Sequence, residues 1–118
     1  MLQWFIKTSK LIREIRKKTI DVLRHLDQGD VSKAEVAKEY LKTDFSYLKS
    51  HWETEFPSGA QGLDHGLGRH IYWGADPKHG GKHDYYAILS VDLPELEKQA
   101  EEHLLKAKGP LWPEAVLE

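Results

Sequence analysis

His70-Ile71-Tyr72-Trp73 and Tyr85-Tyr86-Ala87-Ile88-Leu89-Ser90-Val91 are the stretches whose reading decides the fold class. Both are rich in aromatic and β-branched residues, which suit a pleated and half-buried surface, so both read as strands. The intervening Gly74 to Asp84 is too long for a tight hairpin turn. It reads as a loop, with Asp76-Pro77 and Gly80-Gly81 as its turn points. Two strands alone are marginal in water, so they must pack on helices or borrow a further strand from a partner.

Outward from this centre the sequence turns helical. From Trp4 to about Leu26 the residues Phe5, Ile12, Ile15, Val22, Leu23 and Leu26 share one face of an amphipathic helix. Lys10, Arg13, Lys17 and Arg24 form a basic stripe on the opposite face. Asp27-Gln28-Gly29-Asp30 ends that helix, with Gly29 suited to the left-handed C′ position. A second helix starts where Ser32 and Glu35 make a capping box and Val31 and Val36 a hydrophobic staple. Val36, Ala37, Tyr40, Leu41, Leu48 and Trp52 are its expected buried face, packed on the first helix as an antiparallel hairpin. Asp44 and His51 fall in the middle of that face. Either the helix breaks near Thr43-Asp44 and one of them caps a new turn, which is favoured, or a buried Asp meets a cation. Beyond the strands, Asp92 as N-cap, Pro94 in the first turn and Glu95 in a second capping box open a third helix. Its stripe is Leu93, Leu96, Ala100 and Leu104, and Gly109-Pro110 stops it. The apolar tail 111–117 is expected to dock over the core.

The expected fold is therefore α+β in one domain: a helical hairpin over 4–54, a loop and β-hairpin region over 56–91, and a C-terminal helix with docked tail over 92–118. Its 118 residues suffice for one independently folding domain, and 40% hydrophobic with 31% charged residues is globular composition. No repeat or low-complexity tract interrupts it. The chain has no cysteine, which removes disulfides, thiolate metal sites and a cysteine nucleophile, and makes a reducing, cytoplasmic setting the natural one. The first six residues are apolar too briefly for a signal peptide or a membrane span. A net charge of −2 hides an asymmetry: residues 1–28 carry seven Lys/Arg against three Asp/Glu, and residues 92–118 carry three against seven. Packing of the two ends side by side would use it, and so would an acidic partner or a phosphate backbone.

The segment Phe56 to Tyr86 holds seven of the nine glycines and four of the seven histidines, and is where function is sought. His65, His70, His79 and His83 with nearby carboxylates raise the question of zinc, but His-Glu-x-x-His is absent and the segment does not read as a helix, so no metal site and no cofactor are assigned. Gly66-Leu67-Gly68-Arg69 lacks the third glycine and the preceding strand of a dinucleotide-binding turn. No Gly-x-Ser-x-Gly elbow occurs. Trp4 and Trp52 read as core. Trp73 and Trp112 are weighed as surface anchors, with burial in the core the favoured role for each.

Three functional expectations follow. The favoured one is a protein-binding module, an inhibitor, immunity-type or accessory protein that presents residues 62–83 to a protein partner through Arg69, Tyr72, Trp73, Lys78, His79, Lys82 and His83. The second is a small metal-independent nuclease-like enzyme, in which His65, Arg69, His70, His79 or His83 trade protons and steady charge on a phosphodiester. It requires at least two of the histidines to meet Arg69 in one concave pocket. The third is a nucleic-acid binder through Lys10, Arg13, Lys17 and Arg24, which the net acidity of the chain disfavours.

Overall fold

A computed structural model describes residues 1–57, 60–79 and 81–108 of the chain. The described residues are helical and contain no strand, so the α+β expectation is corrected to an all-α fold. Helix α1 runs Leu2–Asp27 and α2 runs Val31–Glu53. We call residues 60–74 α3: the α-helical turn Ala60–Leu63 continues into two π-helical segments, Asp64–Gly68 and His70–Gly74. A 3-10 turn, Pro77–His79, leads to α4 over residues 82–108, composed of Lys82–Ala87, a π-helical segment Ile88–Asp92, and Leu93–Lys108. The α1–α2 hairpin is the scaffold, and both α3 and α4 pack against it.

In α1 the buried residues are Trp4, Thr8, Ile12, Ile15, Thr19, Val22 and Leu23, a spacing of three and four that keeps one face inward. Thr8 and Thr19 can sit in this apolar stripe because each hydroxyl donates to the carbonyl four residues back, Trp4 O and Ile15 O, both at 2.7 Å. Gly29 ends the helix with φ +74°. Its N–H donates to Leu26 O and that of Asp30 to His25 O, at 3.0 and 2.9 Å, the paired bonds of a Schellman turn.

Because that turn places Asp30 immediately before α2, the cap falls two residues earlier than expected. The Asp30 carboxylate accepts the N–H of Lys33 at 3.0 Å, and Ser32 lies inside the first turn. Val36 is 57% exposed, so there is no staple. Asp30→Ala is expected to lower stability by about 1 kcal/mol in urea unfolding, and Ser32→Ala to leave it within about 0.5 kcal/mol.

The buried face of α2 is Ala34, Leu41, Phe45, Leu48 and Trp52, rotated away from the expected Val36 and Tyr40. The helix does not break at Asp44. Its carboxylate pairs with the Lys18 ammonium at 2.6 Å, and this close contact raises the lysine's pKa. His51 places Nε2 against Trp4 O at 3.0 Å and Thr8 Oγ1 at 2.9 Å, and its ring stacks on Trp4 with centroids 5.5 Å apart. Both polar residues in the face thus join α2 to α1.

Each expected strand is helical for a reason visible in its spacing. Leu63, Leu67, Ile71 and Ala75 are buried at intervals of four. In a regular α-helix each such step drifts by about 40°, which would carry the last of them roughly a third of the way round. π-helical turns close i→i+5 bonds and hold more residues, so the row stays on one face. The Ala75 N–H to His70 O bond of 2.9 Å is one of these. In the second stretch Tyr85 and Ile88 are buried, and the stripe continues unbroken through Asp92, Leu93, Leu96 and Ala100. Asp92 is not a cap. It lies inside the helix, buried, and its carboxylate faces α3.

Gly68 explains how α3 lies so close to α2: a Cβ there would stand 2.8 Å from Phe45 Cζ and 3.2 Å from Leu63 O. The α3–α4 connection is pinned to α2 by the Lys38 ammonium, which donates to Ala75 O and whose pKa burial lowers. Arg16 of α1 pairs with Glu97 of α4, one local use of the opposite charges of the two ends. The tail 111–117, with Trp112, lies outside the described residues.

Candidate functional site

The nine sequence-selected residues between 65 and 83 separate into distinct places. His65, Arg69 and His70 converge. With Trp73 and Gly74 of α3 and Asp84 of α4 they line one concavity of about 390 Å³. They meet because α3 is a helix: positions 65, 69, 70 and 73 then share a side, which an extended or loop conformation would not produce. The His70 Nδ1–H donates to Asp92 Oδ2 at 2.5 Å. Asp92 is only 8% exposed, and no second hydrogen bond reaches its carboxylate among the described residues. This contact fixes the His70 tautomer and leaves Nε2 as the nitrogen able to accept a proton. Asp84 packs against Gly74 so closely that a Cβ there would overlap its carboxylate.

Tyr72 and Lys78 lie on the other flank. Together with Trp73 they line a wider groove of about 610 Å³, whose opposite wall is α2 with Glu35, Lys38, Glu39 and Lys42. Lys42 stands 5.5 Å from the centroid of the Tyr72 ring, a cation–π arrangement, and also pairs with Glu39 at 3.1 Å. Lys78 approaches Glu35 at 3.7 Å. Trp73 belongs to both concavities and is 87% exposed, so the expectation of its burial is corrected.

The remaining three residues join neither concavity. His79 turns back on Asp76, Nδ1 to Oδ2 at 2.5 Å, and that bond, with one from the Lys78 N–H, lowers the Asp76 pKa. Lys82 reaches Asp27 of α1 at 2.7 Å, which raises the lysine's pKa. His83 is exposed. On α1, Lys10, Arg13, Lys17 and Arg24 are exposed as a stripe, Arg24 being paired with Asp21 at 2.6 Å.

The sequence alone reads Asp92 as a helix cap and Asp84 only as a carboxylate beside the loop histidines; the continuity of the α4 stripe through Asp92 is the one signal that could have flagged the former. Among the described residues no cluster of three or more His, Asp or Glu is arranged to hold a metal ion, and no helix is long and apolar enough to cross a membrane. Comparison with protein-family models, with curated proteins and with solved structures finds no match.

Proposed function

We propose that this chain is a protein-binding module whose contact surface is the Tyr72–Trp73 ridge of α3 and the groove between it and α2. The observation that carries this reading is Trp73. An indole 87% exposed leaves a large apolar surface in water with no partner in its own fold. Such a side chain on a helix anchored from behind by the fully buried Ile71 is preorganised, and tryptophan is enriched where binding energy concentrates. The charged walls, Glu35, Glu39, Lys42 and Lys78, would form the polar rim that surrounds such an anchor. An accessory or inhibitor role fits this arrangement, and the absence of cysteine favours the cytoplasm as its setting.

The test uses wild-type and Trp73→Ala protein as immobilised bait in native lysate, with thermal unfolding run in parallel. A protein retained by the wild type and weakened more than roughly tenfold by Trp73→Ala, at unchanged midpoint, is the expected result. Equal retention by both baits, or none by either, removes the reading.

A further inference from the structure

We propose that the concavity formed by His65, Arg69 and His70 is a metal-independent cleavage site for the phosphodiester backbone of single-stranded RNA. Four features of the structure converge on it. The buried Asp92 carboxylate holds Nδ1 of His70 at 2.5 Å and so fixes the ring, leaving Nε2 as the nitrogen without this partner. His65 supplies a second imidazole in the same concavity. Arg69 has no carboxylate partner among the described ion pairs, so its guanidinium is available to a ligand, and a planar fork of donors suits phosphate oxygens. Trp73 at the rim offers the exposed aromatic face on which a base can stack.

The concavity is lined by one carboxylate, Asp84, opposed by Arg69. Its size, about 390 Å³, lies within the range of small-ligand pockets and suits a nucleotide unit rather than a folded surface.

In the reaction, Nε2 of His70 takes the proton of the ribose 2′-hydroxyl as its oxygen bonds to phosphorus. The bond from phosphorus to the 5′-oxygen breaks, and protonated His65 gives its proton to that leaving oxygen. Arg69 bears the charge that builds on the non-bridging oxygens. The products are a 2′,3′-cyclic phosphate and a 5′-hydroxyl, and the two imidazoles recover their starting states by exchanging protons with water. No redox partner or metal is consumed. Asp92 acts through His70 and is a positioning residue. This site is independent of the protein-binding reading except that both use Trp73.

The experiment incubates the purified full chain with a single-stranded RNA oligonucleotide in excess chelator and reads the products by mass spectrometry. Cleavage to cyclic-phosphate ends is expected, and an all-deoxy oligonucleotide of the same sequence should stay intact. His70→Ala and Arg69→Ala should each slow cleavage by roughly a hundredfold at unchanged melting midpoint. His65 is exposed, so His65→Ala tests the acid without risk to folding and should also slow cleavage. Asp92→Asn should change the shape of the pH–rate profile, because the groups facing His70 are then Arg69 and His65 of α3 and Asp84 of α4 without the Asp92 charge. Absence of cleavage by the wild type, or cleavage by His70→Ala and His65→Ala at the wild-type rate, overturns the proposal. Retention of a protein partner by His70→Ala and its loss from Trp73→Ala would separate the two functions.

Discussion

Trp52→Ala is expected to lower the unfolding free energy by about 3–5 kcal/mol, measured by urea denaturation followed by circular dichroism. Trp52 is 2% exposed and sits where three helices and the end of α2 meet. Its ring is 5.5 Å from Trp4 of α1 and stacks on Phe56 at 5.0 Å, and Phe56 in turn lies 4.3 Å from His103 of α4. Removing the indole leaves a void between rigid neighbours that cannot collapse into it, so the cavity cost adds to the lost transfer energy. Against the roughly 5–15 kcal/mol that holds a domain of this size together, such a loss takes about a fifth of the margin at the least. The contrast with Trp73 is a sharp control. Trp73→Ala, on the surface, should shift stability by no more than about 0.5 kcal/mol. Comparable losses for the two substitutions would contradict the burial described above.

The second large effect is expected at Gly68. In an ordinary helix Gly→Ala gains about 0.8–1.0 kcal/mol from backbone entropy. At position 68 the new methyl would lie 2.8 Å from Cζ of the buried Phe45 and 3.2 Å from Leu63 O, a backbone atom. Overpacking of this kind costs about 1–3 kcal/mol, so the steric term exceeds the propensity gain and the net change should be destabilising. Gly62 reverses the sign. A Cβ there meets nothing within 4 Å, and Gly62→Ala should be neutral to stabilising by up to about 0.5 kcal/mol, the gain being reduced near the start of α3. Opposite signs at two glycines of one short helix, read from denaturation midpoints, is the outcome to look for.

Residue types and spacing made the helical hairpin region readable, including the left-handed glycine at position 29, because amphipathic period and turn chemistry act locally. The α2 face was misplaced by part of a turn. Val36 and Tyr40 look like core, yet the residues α2 buries are Ala34, Leu41, Phe45, Leu48 and Trp52, and Lys18–Asp44 is a polar contact to α1 that no apolar pattern announces. The two strand assignments failed through composition. Tyr72 and Trp73 face outward on a helix, so their β preference is never exercised, and the run from Tyr85 to Val91 is the first half of a helical stripe cut short by reading Asp92 as a cap. Four-residue spacing from Leu63 to Ala75 was the available clue, and it is legible only once π-helical turns are allowed. The convergence of His65, Arg69 and His70 depends on that same helix, so the site was no more visible than the fold beneath it.

Trp73 lines both the groove toward α2 and the concavity toward α4, and one indole cannot cover both at once. Any occupant that draws the ring over one side withdraws it from the other. By thermodynamic reciprocity the weakening is mutual: whatever factor a protein in the groove takes from the affinity of a nucleotide chain, the nucleotide chain takes from the protein. If both proposals hold, a single side chain at the crest of α3 would give the molecule antagonistic linkage between its two faces.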